Sequence, residues 1–204
     1  IDASIYGTAE GINFHHMQDS LAKDYRPADY SWEETGAEGA LVAMNRLLAK
    51  PLPAEKLITV NSACASGNQS IGLAFHRIRV GEWTRALVGG VDARCNASNL
   101  MNFHLLGALT TEEVGASASS RPFSGNRSGF VRGEGAATLM IESLDRALAR
   151  GATPLVEVIG YANTSDAFRL TDGRDDAYCV KKAMQFALED AGIVKVDAVS
   201  AHGT

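Results

Sequence analysis

The sequence predicts an α/β fold, in which apolar strands alternate with amphipathic helices. The runs at residues 86–92 and 136–142 are nearly continuous in apolar residues, which is typical of buried strands. Apolar residues recur at helical spacing over residues 66–81 and 176–191. A further strand is predicted at residues 57–63, directly before the first of these helices. This alternation indicates a sheet with helices packed on it.

Local signals assign the elements near the start of the chain. An extended segment leads into a loop at residues 7–11, which begins and ends with glycine. Residues 37–49 fit a helix, because apolar side chains recur there at helical spacing, and Pro51 and Pro53 end it. A helix is therefore expected before the strand at residues 57–63.

The second half of the chain contains loops, a short helix and two more strands. Residues 107–135 are rich in glycine and serine and predict long, shaped loops. A short helix follows the strand at 136–142, with Ser143 as its N-cap and Gly151 as its end. The apolar character of residues 154–163 and 196–203 predicts a strand in each.

Composition excludes several classes of function. The 204 residues carry a net charge of -5, with 46% hydrophobic and 21% charged residues, and no Lys/Arg cluster that would suit nucleic acid. No apolar run reaches the ~18 residues that a membrane span needs. The chain begins with Ile1 and stops directly after a strand-like run, so we expect an internal piece of a longer protein.

The three cysteines, Cys64, Cys95 and Cys179, are widely spaced and odd in number. They form neither a disulfide framework nor a Cys-x-x-Cys metal motif, so a cytoplasmic setting is expected. Cys64 lies in "VNSACASGN", where a strand passes into a helix. Small neighbours and a helix start suit a reactive thiolate, whereas a free cysteine is more often a packing residue. The local pattern leaves both interpretations of Cys64 open, and it favours packing for the other two.

His202 is the candidate partner for this thiol, because it ends a predicted strand and ligands bind at such strand ends in α/β sheets. The segments "NSAC" and "VSAH" each end a predicted strand, and their shared Ser-Ala pair is a weak sequence similarity. The other histidines have ordinary explanations, in polar loops, on a solvated helix face or among apolar residues: His15, His16, His76 and His104.

Several long blocks occur in order and resemble the β-ketoacyl-acyl carrier protein synthase family of thiolase fold. They are "NSACASGNQSIG", "LVGGVDA", "SRPFSGNRSGFVRGEGAATLMIESLDRALARGA", "EVIGYANTSDAF" and "SAHGT". The resemblance covers nearly all of the chain from about residue 57. It implies an incomplete thiolase-like layered α/β/α/β/α fold, with residues 1–150 in the N-terminal half and residues 151–204 starting the C-terminal half.

The resemblance also implies roles for three residues. Cys64 corresponds to the family's acyl-accepting nucleophile, His202 to the first catalytic histidine, and Thr204 to the threonine that hydrogen-bonds the pantetheine arm. The implied reaction is a decarboxylative Claisen condensation of the Cys64 acyl group with malonyl-acyl carrier protein, in fatty acid or polyketide biosynthesis. The implied partners are acyl carrier protein and a second copy of the chain, with no metal or other cofactor.

The sequence departs from the family pattern at two positions, where Ser124 and Ser128 replace aspartates. We expect the ion pairs of those aspartates with the local arginines to be lost. The family's second histidine, its lysine and its gating loop would lie beyond Thr204, so the 204 residues alone are expected to be inactive. Two alternatives share part of the pattern: a non-catalytic condensing-enzyme-like partner subunit, which would lack the cysteine, and a cysteine acyl-hydrolase.

Overall fold

The computed structural model describes residues 2–8, 56–93, 95–169 and 173–203. Within these ranges, strands and helices alternate as the sequence predicts. In chain order they are β1 (Ala3–Thr8), β2 (Leu57–Val60), α1 (Ser66–Arg79), β3 (Arg85–Asp92), α2 (Ala97–Leu105), α3 (Ala116–Ser119), β4 (Gly135–Glu142), α4 (Leu144–Ala149) and α5 (Tyr178–Ala191).

The strands of the described residues form one mixed sheet in the order β2-β1-β3-β4. β1 lies parallel to β2 and to β3, whereas β4 runs antiparallel to β3. One apolar row crosses the whole sheet, since Ile5 pairs with Ile58 on one side and with Val88 on the other, and Val88 pairs with Leu139. This register aligns the apolar faces of neighbouring strands.

The core lies between this sheet and α1. Ala3, Ile5, Ala86 and Val88 are almost fully buried, and Ala74 of α1 packs against them. Asp2 joins the starts of two strands, because its carboxylate accepts hydrogen bonds from the backbone and hydroxyl of Thr84 and from the Arg85 N–H. The Thr84 N–H above all lowers the pKa of Asp2 to about 2.

The structure confirms the strands at 57–63 and 86–92 and the helices at 66–81 and 176–191, with ends that shift by a few residues. The short helix after β4 is also confirmed. Ser143 occupies its N-cap position without a side-chain capping bond. The helix ends at Ala149, with Arg150 as its C-cap, and Gly151 follows with a φ of 73°.

Three expectations about these elements were wrong, and one helix was not predicted. Residues 7 and 8 belong to β1 rather than to a loop, and residues 97–105 form the unpredicted helix α2. The 107–135 region is also not wholly irregular, because α3 lies in it. β4 is largely exposed rather than buried, since it is the edge strand of the described sheet and has one neighbour.

The strands predicted at residues 154–163 and 196–203 are also absent from these two described segments. The first segment lies against helices: the Tyr161 N–H donates to the Asp190 carboxylate of α5, rather than to a neighbouring strand. A strand requires such a neighbour, and apolar character alone does not supply it. The helix predicted at residues 37–49 lies outside the described residues.

Candidate active site

Cys64 lies on an exposed turn between β2 and α1, two residues before the first helical residue. The preceding Ala63 has a φ of 49°, in the left-handed region that non-glycine residues rarely adopt. This conformation turns the chain sharply between strand and helix. The thiol is therefore exposed at the N-terminal end of a 14-residue helix.

Ser66 closes the Cys64 turn from inside the protein. Its side chain is almost fully buried, donates to the Ala63 carbonyl at 2.7 Å and accepts from the Ser62 N–H at 2.7 Å. The Ser62 hydroxyl in turn donates to Gln69 of α1. These bonds tie both sides of the left-handed residue to the helix, and they keep Cys64 on its outer side.

The start of α1 also lies close to the end of β3. Gly67 lacks a side chain where a Cβ would come 3.9 Å from the Gly90 Cα. One turn later, the Ser70 hydroxyl donates to the Gly89 carbonyl at 2.8 Å. The helix start, and Cys64 with it, is therefore positioned relative to the buried strand.

His202 is exposed, and the next residue, Gly203, has a φ of 75°. Gly203 lies against the loop that carries Pro122 and Phe123: a Cβ on the glycine would come 3.2 Å from the Pro122 Cβ and 3.4 Å from the Phe123 ring. Gly203 also lines a cavity of about 260 Å³, together with Arg121, Arg127 and Phe130. The histidine segment thus borders a pocket built from the glycine- and serine-rich loops.

The structure does not join the two candidate residues directly. Within the described residues, no hydrogen bond links Cys64 to His202, and Thr204 lies outside the described residues. The roles of Cys64, His202 and Thr204 therefore stay predictions.

Arg121 holds the cavity wall together. Its guanidinium pairs with the Glu112 carboxylate and donates to the Ala118 carbonyl at 3.1 Å and the Asn126 carbonyl at 2.8 Å. Because Arg121 donates to it, the pKa of the Glu112 carboxyl lies below its ordinary value, with a smaller effect from Ser128. The pair is thus ionised at neutral pH.

Ser124 and Ser128, the two positions that differ from the family pattern, make local hydrogen bonds. The Ser124 hydroxyl donates to the Asn126 side chain at 2.6 Å, and Ser128 shares a 2.7 Å bond with Thr110. The Arg127 guanidinium donates to the Ser124 backbone carbonyl at 2.9 Å. Neither serine supplies a carboxylate to an arginine, and Glu112 is the carboxylate that pairs with Arg121.

A second, partly buried ion pair lies at the carboxyl end of β3, and the sequence patterns did not predict it. Arg132 donates to both Asp92 oxygens, at 3.0 and 2.8 Å, and its guanidinium stacks on the Phe103 ring at 4.6 Å. Phe103 meets Phe130 of the cavity wall edge to face. The sequence signal for this pair was an acidic residue at the end of one strand and an arginine three residues before the next strand.

The remaining cysteines and histidines fit their expected roles in part. Cys95 and His104 are exposed rather than packed among apolar residues. His76 is exposed, as expected, and its ring meets Tyr161 edge to face. His15 and His16 lie outside the described residues.

The described ranges contain neither a metal-binding cluster nor a helix that could cross a membrane. They contain no group of three or more His, Cys, Asp and Glu side chains placed to hold a metal ion. No helix among them is both long enough and apolar enough to cross a membrane.

Comparison with known proteins identifies the domain that holds this turn. The family model of the β-ketoacyl synthase N-terminal domain matches residues 56–147. The 3-oxoacyl-[acyl-carrier-protein] synthase 2 of Staphylococcus aureus is 40% identical over 145 residues, covering 70% of this chain and 36% of the relative. The protein of the same name from Rhizobium meliloti (strain 1021) is 37% identical over 149 residues, covering 72% of this chain and 35% of the relative.

Solved structures match over the whole chain. A β-ketoacyl synthase from Burkholderia phymatum STM815 superposes with a TM-score of 0.81 and 33% identity, covering 99% of this chain and 50% of that one. The ishigamide ketosynthase/chain length factor superposes with a TM-score of 0.81 and 35% identity, covering 100% of this chain and 50% of that one. A third structure is a type II polyketide synthase acyl-carrier protein in complex with its ketosynthase, bound to the hexaketide. It superposes with a TM-score of 0.86 and 28% identity, covering 98% of this chain and 52% of that one.

The chain thus spans about half the length of these structures, and its match spans about a third of each curated relative. The predicted thiolase-like α/β fold is confirmed by the structural matches. The domain match and the curated relatives show that residues 56–147 are a β-ketoacyl synthase N-terminal domain.

Proposed function

We propose that the complete protein is a β-ketoacyl synthase, which condenses an acyl group held on Cys64 with malonyl-acyl carrier protein. The observation that carries this proposal is the exposed thiol on a strained turn at the start of α1. The thiol is accessible and lies directly before the N-terminal end of a 14-residue helix. The domain match covers the same turn.

The first half-reaction moves the acyl group onto Cys64. Its sulfur attacks the thioester carbonyl carbon, the bond from that carbon to the pantetheine sulfur breaks, and the departing sulfur takes the thiol proton. One thioester replaces another, so the step is nearly balanced and the carbonyl stays electrophilic.

The second half-reaction forms the carbon–carbon bond. Malonyl thioester loses carbon dioxide, and the electron pair of the broken bond becomes an enolate. His202, on its exposed segment beside the cavity, donates an N–H to the thioester oxygen where charge develops. The enolate carbon then attacks the Cys64 acyl carbon, and the thiolate is released. These steps move protons and electron pairs alone, so we propose that no metal or other cofactor takes part.

We also propose that acyl carrier protein delivers both substrates and that Thr204 binds its pantetheine arm. A structural relative with 28% identity is an acyl-carrier protein in complex with its ketosynthase, which supports this partner. Residues 1–150 would form the N-terminal half and residues 151–204 the start of the second half. A homodimer and a cytoplasmic location complete the proposal, and three free cysteines are consistent with that location.

Alkylation of the complete protein tests the nucleophile. We expect iodoacetamide, followed by peptide mass spectrometry, to modify Cys64 fastest, and condensation to stop in parallel. Cys64→Ala should lose both the labelled peptide and condensation. Cys95→Ala is the matched control, since Cys95 is also exposed, and it should keep both. Condensation that survives Cys64→Ala contradicts the proposal.

A further inference from the structure

Phe123 has a backbone conformation that its side chain disfavours. Its φ is 63°, and a bulky residue in the left-handed region is a genuine outlier. Phe123 is also 71% exposed, so burial in the core does not compensate for this strain. Strained residues persist where the surrounding structure holds them, and they concentrate at functional sites.

Arg121 fixes the backbone on both sides of Phe123. Its guanidinium reaches the Ala118 carbonyl before Phe123 and the Asn126 carbonyl after it, while Glu112 neutralises its charge. The backbone of Arg121 also accepts a hydrogen bond from the Ser124 N–H at 3.2 Å. The chain on both sides of Phe123 is thus fixed to one cation.

The ring is held against the segment that carries His202. A Cβ on Gly203 would come 3.4 Å from the Phe123 ring and 3.2 Å from Pro122, so the glycine allows the two segments to approach closely. Gly203 itself has a φ of 75°, in the left-handed region. Two left-handed residues therefore meet directly beside the histidine.

We propose that Phe123, held by the Arg121–Glu112 ion pair, is a positioning residue for His202. The proposal rests on the proposed role of His202 in decarboxylation. Phe123 contacts Gly203 rather than the reacting atoms, so it acts by setting where the imidazole lies. Misplacement of a reacting group by about 1 Å can cost about 100-fold in rate.

Partial reactions of the complete protein separate positioning from folding. In Phe123→Ala we expect the kcat of malonyl-thioester decarboxylation to fall about 10- to 100-fold, with KM nearly unchanged. Alkylation of Cys64 should keep its rate, because the Cys64 turn is built from other residues. Phe123→Tyr keeps the ring and should restore decarboxylation. Phe186→Ala is the control, since it removes a ring on α5 that stacks on Lys182.

Unchanged decarboxylation in Phe123→Ala would overturn the inference. A parallel loss of decarboxylation, Cys64 alkylation and thermal stability would also overturn it, because that pattern indicates a merely structural role. If Phe123→Ala does not fold, Glu112→Gln provides the second measurement. It should lower decarboxylation selectively in the same way, and a variant with unchanged decarboxylation counts against the inference.

His202→Ala distinguishes failure of the inference from failure of the proposed function. It should lower decarboxylation about 10²–10³-fold, as expected for the loss of an oxyanion donor. If His202→Ala keeps full decarboxylation, the proposed function is wrong and the inference fails with it. If His202→Ala loses the activity but Phe123→Ala keeps it, only the inference is wrong.

Discussion

Ser66 shows how one hydroxyl group fixes the candidate nucleophile. The hydroxyl is almost fully buried, bonds both to Ala63 and to Ser62, and lies two residues after Cys64. Buried hydrogen bonds of this kind matter most when one partner is removed, because the other partner then lacks a replacement. At the scale of the residue, the geometry of the turn therefore depends on a side chain that does no chemistry.

Ser66→Ala should destabilise the protein and loosen the Cys64 turn. We expect the free energy of unfolding to fall by about 1–3 kcal/mol, because the Ser62 N–H loses its acceptor. The alkylation rate of Cys64 should change in the same variant. Urea denaturation and timed iodoacetamide labelling measure the two effects. Asn68→Ala alters an exposed residue of the same helix and is the control, and equal stability of the two variants would contradict the expectation.

At the scale of elements, α1 is the central helix of the described fold. One side packs on the sheet through Ala74, and the Tyr161 ring lies on α1 at Gly72. Partial burial of that ring raises the pKa of the Tyr161 hydroxyl. The segment at 154–163 thus contacts the helix that begins beside Cys64.

Gly72→Ala tests this contact. A Cβ at Gly72 would come 2.2 Å from the Tyr161 ring, so the ring must move, and we expect a loss of about 1–3 kcal/mol in unfolding free energy. Gly67→Ala is the matched control in the same helix. Its Cβ would meet only Gly90 at 3.9 Å, so the better helix former should be neutral or stabilising by up to about 1 kcal/mol. Equal melting curves for the two variants would show that Tyr161 does not constrain α1.

At the scale of the whole molecule, one ion pair connects elements that lie far apart in sequence. Arg79 at the end of α1 donates to Asp190 of α5 at 2.7 Å, and the same carboxylate accepts the Tyr161 N–H at 3.0 Å. Arg79, above all, lowers the pKa of Asp190 below its ordinary value of 3.8. Asp190 therefore ties α5 both to α1 and to the intervening segment.

Asp190→Ala should lower Tm at pH 7 by a few degrees Celsius, since it removes both contacts. Because the pKa of Asp190 is lower in the folded state, the stabilisation is fully present above pH 3.8. It is lost as the pH falls through the lowered folded-state pKa. The difference in Tm between the two proteins should therefore shrink below pH 3.8. Glu82→Gln, which breaks a local pair with Arg77, is the control. A difference that persists unchanged in strong acid contradicts this role of the carboxylate.

The pattern of apolar residues predicted the elements that need only local backbone hydrogen bonds and an apolar face. The run at 86–92 became β3, and helical spacing predicted α1 and α5. Such elements follow from local backbone hydrogen bonding and one apolar face. Helix α2 was missed, although Asn96 caps it by accepting the Asn99 N–H at 3.0 Å, which is the signal that could have found it.

The tertiary structure decided the points that depend on distant partners. The sequence by itself determined that Cys64 stands at the start of a helix and that His202 follows an apolar run, and its blocks predicted the domain family that the comparisons identify at residues 56–147. Only the folded chain revealed that residues 154–163 lie against helices and that Glu112 forms the ion pair with Arg121. Periodicity encodes the faces of an element, whereas the choice of partner depends on which segments meet in space.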